Sequence, residues 1–287
     1  MSYYHDFKKA GIIHKIIQSK LQEYLKLGLS SLEIVEFIEN NIKLLSKKTE
    51  LNSGLGFPVG ININDVAAHF TPSINDNPII QNNDVVKIDF GVHINGCISD
   101  GAFSWCPSGK YNKLIEIAKE ATTSAIKYSG PDAILGEIGS HIEEIIESYE
   151  IIIDNKLYQV NSITDLSGHN IQPYRIHAGK FVPNGKCYYF DRMKENEIFA
   201  IETFPTLGNK KIKNSDIINH FMINKYDDSI SKLYEQFNTL PFCPRWTTEN
   251  IPDCKFITKF PVLMNNGITA QYEKNIYIKD NGIEILN

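Results

Sequence analysis

No apolar run in this chain approaches the roughly 20 residues that a membrane-spanning helix needs. The start, MSYYHDFKKAG, is polar and charged and lacks the apolar core of a secretory signal. The cysteines (Cys97, Cys106, Cys187, Cys243, Cys254) are an odd, scattered set with no CxxC pair, which fits a reducing compartment better than a disulfide framework. No low-complexity linker and no strong repeat interrupt the sequence. Positive charge is not in excess either: a net charge of −5 and a pI near 5.9 argue against a nucleic-acid-binding surface as the main business. A cytoplasmic, soluble protein, with neither nucleic acid nor membrane as partner, is the expectation these absences leave. The absence of an apolar surface stripe makes a monomer the favoured state.

What is present supports a packed fold. Hydrophobic residues make up 42% of 287 residues, enough for a real core. Residues 6–27 and 31–48 have amphipathic helical periodicity, and Ser30 with Glu33 forms a capping-box pattern. Residues 52–64, rich in Gly, Pro and Asn, read as a loop. Residues 84–105 alternate like strands around Asn95-Gly96, a strong two-residue hairpin signal. Helical periodicity returns over 110–128 and 136–149, short strands and loops over 157–207, and one more helix over 227–240. The end, ITAQYEKNIYI, alternates again. Helix pairs followed by strands, twice over, predict one α+β domain made of two similar halves.

With Asn95-Gly96 as the turn, Ile94 pairs with Cys97 and Gly91 with Asp100. Asp89, two residues beyond Gly91, then shares a face with Asp100, and the two carboxylates become diagonal neighbours within joint reach of one ion. Gly91 opposite Asp100 leaves room for that ion. Two aspartates on a solvated sheet face would fit the hairpin alone equally well. Against that reading, Ile88, Phe90 and Val92 make the opposite face apolar.

Other chemistry-bearing residues lie farther on. His169 sits in SGHNIQPYRIHAG, read as a loop, with His177 eight residues later. Glu202 sits in the apolar stretch EIFAIETF, and Glu273 on the Thr269/Gln271 face of the last strand. Taken singly, each has a plain structural explanation. Together, four carboxylates and one imidazole on apolar strands need a cation, because a carboxylate is costly to bury unpaired. The donor set suggests a pair of divalent metals, Mn, Fe(II) or Co ahead of Zn.

The motifs resemble the type II methionine aminopeptidases of peptidase family M24. The matching segments are GFPVGININDVAAHFTP around His69, VVKIDFGVHINGCISDGAF around Asp89 and Asp100, and LSGHNIQPYRIHAGKFVPN around His169 and His177. EIFAIETF supplies Glu202, INHFM supplies His220, and GITAQYEKNIYI supplies Glu273. The resemblance runs in family order through nearly the whole chain. It implies a single catalytic domain over 1–287 with the pita-bread (creatinase/aminopeptidase) fold, two pseudo-symmetric α+β halves around a dinuclear metal site. It also implies that residues 209–265 are a short helical insertion of the type II kind.

The resemblance implies roles as well. Asp89 would hold one metal, His169 and Glu202 the other, and Asp100 and Glu273 would bridge both. His69 and His177 would face the scissile amide, His177 at the developing oxyanion and His69 on the nitrogen side, while Glu202 would carry the proton. Phe57, Ile176 and His220 would line the methionine pocket, with Pro241 a lesser candidate. The substrates would be nascent polypeptides with N-terminal Met and a small second residue, a setting compatible with work at the ribosome. Ser2 after Met1 would make the chain its own substrate.

Three departures stand out. The insertion is shorter than usual for type II, Lys274 follows Glu273 where the family usually has His, and the charged N-terminal extension of eukaryotic members is not seen. Strand alternation turns Lys274 away from the metals, so little catalytic loss is expected there. The main rivals are an Xaa-Pro aminopeptidase or prolidase on the same fold, and a non-catalytic relative that binds RNA or protein. The first usually carries a large extra N-terminal domain; the second loses ligand residues that this chain keeps.

Overall fold

The computed structural model describes residues 3–47 and 50–287. Helix α1 (Tyr4–Tyr24) buries Phe7, Ala10, His14, Ile17 and Leu21, and α2 (Ser31–Ser46) buries Ile34, Val35, Ile38 and Ile42. Both stripes follow helical spacing. The capping box forms: Glu33 N–H donates to Ser30 Oγ at 3.2 Å and Ser30 N–H donates to the Glu33 carboxylate at 2.8 Å. Lys48, the expected last residue of this helix, lies outside the described residues, as do Met1 and Ser2.

Strands β1 (Ser53–Ile63), β2 (Val66–Ala68), β3 (Val86–Ile94) and β4 (Cys97–Trp105) follow, with β1, β3 and β4 forming one sheet in that order. Strand β1 corrects the loop expected over 52–64. It pairs antiparallel with β3 through register shifts at Leu55/Phe57 and Phe57/Gly60. Bulges on an edge strand are where a sheet tolerates Pro and Gly, so these residues mark a distorted strand here. The β3–β4 hairpin has the expected register, Ile94 with Cys97, Gly91 with Asp100 and Asp89 with Ala102. Asn95 (φ 50°) and Gly96 (φ 77°) supply the two positive angles that a type I′ turn requires.

The second half repeats the scheme. Helices α3 (Asn112–Tyr128) and α4 (Leu135–Glu147) precede short strands β5 (Glu150–Ile153), β6 (Lys156–Gln159) and β7 (Asn161–Ser162). Then come β8 (Ser167–Ile171), β9 (Phe181–Pro183), β10 (Ile198–Thr203) and β11 (Pro205–Thr206). After β12 (Lys213–Ile223), α5 (Ser231–Phe237) and β13 (Ile257–Met264), the chain ends with β14 (Tyr272–Lys279) and β15 (Gly282–Ile285). The second sheet has the order β15-β14-β10-β8-β9. One apolar cluster joins α1 and α2 to the first sheet through Ile17, Ile38, Ile61 and Phe90. Another joins α3 and α4 to the second through Ile117, Ile142, Phe199 and Ile276. The α+β, two-halved architecture expected from the sequence is what the chain adopts.

Residues 209–265 differ from the helical segment expected. Strands β12 and β13 pair with each other, and β13 also pairs with β2. The helix expected over 227–240 shrinks to α5, seven residues with a 3-10 turn before it. Phe221, Ile223 and Ile257 on the strands bury against Leu233 and Phe242, so tertiary packing favours strand over local helical spacing.

Candidate metal centre

The two sheets meet along β4 and β14, and side chains stitch this seam. Asp100 N–H donates to Asn275 Oδ1 at 2.6 Å, and Gln271 N–H donates to Ser104 Oγ at 2.8 Å. Ser104 Oγ–H in turn donates to the Gln271 carbonyl at 2.9 Å. Asn287 bridges from β14 to the Asp100 carbonyl. These bonds set Asp100 beside Glu273. In the second sheet Glu202 faces Glu273 across β10 and β14, and His169 faces Ala200 across β8 and β10. With Asp89 on β3, five strands thus turn five donors toward one place. His169 stands on a strand and not in a loop; its SGHNI segment is short and begins with small polar residues, which hid the strand.

Asp100, His169 and Glu273 are all buried, and each offers a ligand atom within 4.8 Å of the other two. His169 Nε2 is 3.5 Å from Asp100 Oδ2. Asp89 and Glu202 join the group through Gln271, whose Nε2 lies 3.3 Å from Asp89 Oδ2 and 3.3 Å from Glu202 Oε2. Strand alternation puts Gln271 on the Glu273 face, but nothing in the sequence signals its link between two acids. The room over Gly91 is not left for an ion as expected. A Cβ at Gly91 would fall 2.3 Å from Phe57 Cε1, so the glycine accommodates the Phe57 ring.

Four carboxylates, two buried (Asp100, Glu273) and two half-buried (Asp89, Glu202), are thus brought together with no ammonium or guanidinium among them in the described residues. Burial pushes Asp89 up to about 7, opposed by the Gln271 amide. Burial, then the charges of Asp89 and Glu202, holds Asp100 well above the usual carboxylate range. Glu202 and Glu273 are raised by burial and then by their acidic neighbours. Lys180 is at the rim, but its Nζ is committed to Glu197 at 2.6 and 2.8 Å. The buried atoms Asp89 Oδ1, Asp100 Oδ1 and His169 Nδ1 have no hydrogen-bond partner. Unpaired buried oxygens on like-charged neighbours are the arrangement a cation relieves. Oxygen donors with one imidazole fit hard to borderline divalent ions.

A cavity of about 450 Å³ opens onto these donors. His69, His177, Phe57, Ile176, His220 and Pro241 all line it. His69 follows β2 with φ 69°, a left-handed angle that is uncommon outside glycine, although His adopts it more readily than most residues. Its Nδ1 lies 3.1 Å from the Pro261 carbonyl, so Nδ1 carries the proton and Nε2 is left as an acceptor. His220 Nε2 donates to the Pro58 carbonyl at 3.2 Å. Burial, and then the neighbouring His69, lowers His220 to about 3 and His177 to about 4. Both are therefore neutral at pH 7. Phe260, which carried no sequence signal, packs edge-on against His69 at 5.6 Å and His177 at 6.1 Å between ring centroids. Lys274 turns away from the site and donates to Gln18 Oε1 on α1 at 3.1 Å.

Among the described residues no helix is long and apolar enough to cross a membrane, and all five cysteines are free.

The chain matches metallopeptidase family M24 over residues 5–280. It is 35% identical to methionine aminopeptidase 2 of Yarrowia lipolytica over 310 residues, covering 99% of this chain and 66% of that protein. The same enzyme of Komagataella phaffii is 36% identical over 312 residues, covering 99% of this chain and 69% of that protein. The chain thus spans about two thirds of the length of these relatives. Two solved structures share the fold at low identity. A methionine aminopeptidase from Thermotoga maritima superposes with a TM-score of 0.70 at 17% identity, covering 97% of this chain and 94% of that one. A thermophilic Arx1 superposes with a TM-score of 0.84 at 16% identity, covering 99% and 90%. The match over residues 5–280, with more than a third of positions identical across nearly all of this chain, shows that it belongs to metallopeptidase family M24, among relatives named methionine aminopeptidase 2.

Proposed function

We propose that this chain, read as one catalytic unit over 1–287 with 209–265 as its insertion, removes the N-terminal methionine from peptides and nascent proteins. The observation that carries this reading is the buried trio of Asp100, His169 and Glu273, with half-buried Asp89 and Glu202 joined to it through Gln271, at the floor of a cavity walled by His69, His177 and apolar side chains. Asp89 would hold one ion, His169 and Glu202 the second, with Asp100 and Glu273 shared; Mn, Fe(II) or Co suits these donors. When bound, two such ions supply Lewis acidity and lower the pKa of water toward neutrality.

The chain's own residues do the rest. Glu202 takes the proton of the attacking water and returns it to the leaving amine. His177, neutral at pH 7, offers an N–H to the carbonyl oxygen as negative charge develops there, a term typically worth about 3–4 kcal/mol. His69 presents Nε2 as an acceptor for the scissile N–H, because its Nδ1 proton is held by Pro261. Phe57, Ile176, His220 and Pro241 enclose the methionine side chain, and their apolar surface suits a polarizable thioether. Polypeptides with a small second residue, cytoplasmic action and a monomeric state belong to the same proposal.

Paired substrates test it. The metal-loaded protein is expected to release methionine from Met-Ala-Ser and to leave Ala-Pro peptides intact. Cleavage of Ala-Pro with Met-Ala-Ser untouched would move the reading to an Xaa-Pro peptidase. His177→Ala is expected to lower kcat far more than it raises KM; an effect confined to KM would remove the oxyanion role.

A further inference from the structure

The loop that carries His177 contains a turn built against its own backbone preference. Arg175 N–H donates to the Gln172 carbonyl at 2.8 Å, and Gln172 N–H donates to the Arg175 carbonyl at 3.0 Å. Pro173 takes the second position of this turn, and Tyr174 the third with φ 59°. Proline followed by a positive φ is the pattern of a type II turn, whose third position favours Gly or Asn. A bulky aromatic residue there is strained. Such strain persists only where the surroundings over-determine the conformation.

Tyr174 is held on three sides. Its ring lies on the β3–β4 turn: a Cβ at Gly96 would fall 2.3 Å from Tyr174 Cδ2. Its N–H donates to the Gly96 carbonyl at 2.9 Å. Its hydroxyl donates to the Leu51 carbonyl at 3.2 Å, and its own carbonyl accepts from Thr239 Oγ1. The partners come from the hairpin turn, from the approach to β1 and from the segment just after α5 within the insertion. Ile176 and His177 follow within three residues and line the cavity. His177 is exposed as a whole residue, while its ring is enclosed at the cavity wall and packs on His169 at 4.5 Å and Phe260 at 6.1 Å between centroids. Packing alone leaves a ring more freedom than a hydrogen bond does, so its aim depends on the backbone that carries it.

We propose that Tyr174 is a positioning residue for His177, fixing the 172–178 loop against Gly96, Leu51 and Thr239. The aromatic side chain, at a place where glycine would be easier, is retained for this anchorage. The inference rests on the role given to His177 above.

The test compares Tyr174→Gly and Tyr174→Phe, each alone and combined with His177→Ala. Glycine suits the turn's backbone, so the fold is expected to survive, as circular dichroism and bound metal would report. For Met-Ala-Ser, Tyr174→Gly is expected to lower kcat on the order of tens of fold with KM little changed, as a misplaced catalytic group does. Tyr174→Phe keeps the ring on Gly96 and is expected to keep most of the activity. In the His177→Ala background Tyr174→Gly should cost nothing further, which a general structural lesion would not mimic. Wild-type kcat in Tyr174→Gly, or an equal loss in the His177→Ala background, would overturn the proposal alone. Wild-type turnover in His177→Ala would overturn it together with the role of His177.

Discussion

Replacing Asp89 with Asn should stabilise the metal-free protein while abolishing its response to metal. Burial raises the Asp89 carboxyl from an ordinary 3.8 to about 7. In the unfolded chain the group ionises near its ordinary value, so between these pH values the folded state holds the proton more tightly. Stability therefore falls as pH rises from about 4 to 7, by roughly 1.4 kcal/mol per pH unit, and the full penalty of roughly 4 kcal/mol is present above 7. Asn has the same shape, can still accept from Gln271 Nε2 and never ionises. The buried histidines contribute equally to both proteins, whereas Asp100, Glu202 and Glu273 lose the repulsion of the Asp89 charge in the variant, which acts in the same direction. In chelator at pH 8, Asp89→Asn should thus unfold at higher temperature than wild type by several degrees, at about 2 °C per kcal/mol for a chain of this size. At pH 4 the difference should vanish. Addition of Mn(II) at pH 8 should reverse the order, because wild type gains binding energy and the variant little. Differential scanning calorimetry at the two pH values decides it. A difference that is the same at pH 4 and pH 8, or a less stable variant at pH 8 in chelator, would refute the argument.

Gly91→Ala should force the Phe57 ring aside, since the new methyl would sit 2.3 Å from Phe57 Cε1; an overpacking cost of roughly 1–3 kcal/mol should appear mainly as raised KM for methionine peptides with metal binding kept. Wild-type KM would show that the pocket wall tolerates the shift. Glu39 is buried on α2 and accepts from Arg245 Nη2 at 2.7 Å and Trp246 Nε1 at 2.9 Å. Glu39→Gln leaves the guanidinium without its counter-charge and should cost about 3 kcal/mol by urea unfolding, with less than 1 kcal/mol counting against the bridge. Asp100→Asn should abolish turnover with the fold kept, and near wild-type activity at saturating metal would remove its shared-ligand role.

Much of this was legible in the sequence because local signals and tertiary packing agree there. The Asn95-Gly96 turn fixes the hairpin register, and with it the shared face of Asp89 and Asp100. Ser30 and Glu33 state the start of α2 in four residues. Strand β1 was not legible because its Gly and Pro residues follow the needs of two bulges and of the Phe57–Gly91 approach, neither visible without β3. The strands of 209–265 were hidden for a related reason: β12 and β13 are stabilised by each other and by β2. Gln271 carried a usable signal in its alternation with Glu273, whereas Phe260 carried none, since its place between His69 and His177 arises only when β13 folds over the cavity. The seam bonds of Asn275, Ser104 and Asn287 likewise join residues far apart in the chain.

Metal-dependent methionine release is measured by stripping the protein of metal and titrating Mn(II) while following free methionine from Met-Ala-Ser. No release is expected in chelator, with release rising as ion is added, saturating at two ions per chain, and lost in Asp100→Asn. Release that persists in excess chelator, or none with Mn(II), Co(II) or Fe(II) from protein shown to be folded, would contradict a metal-dependent methionine aminopeptidase.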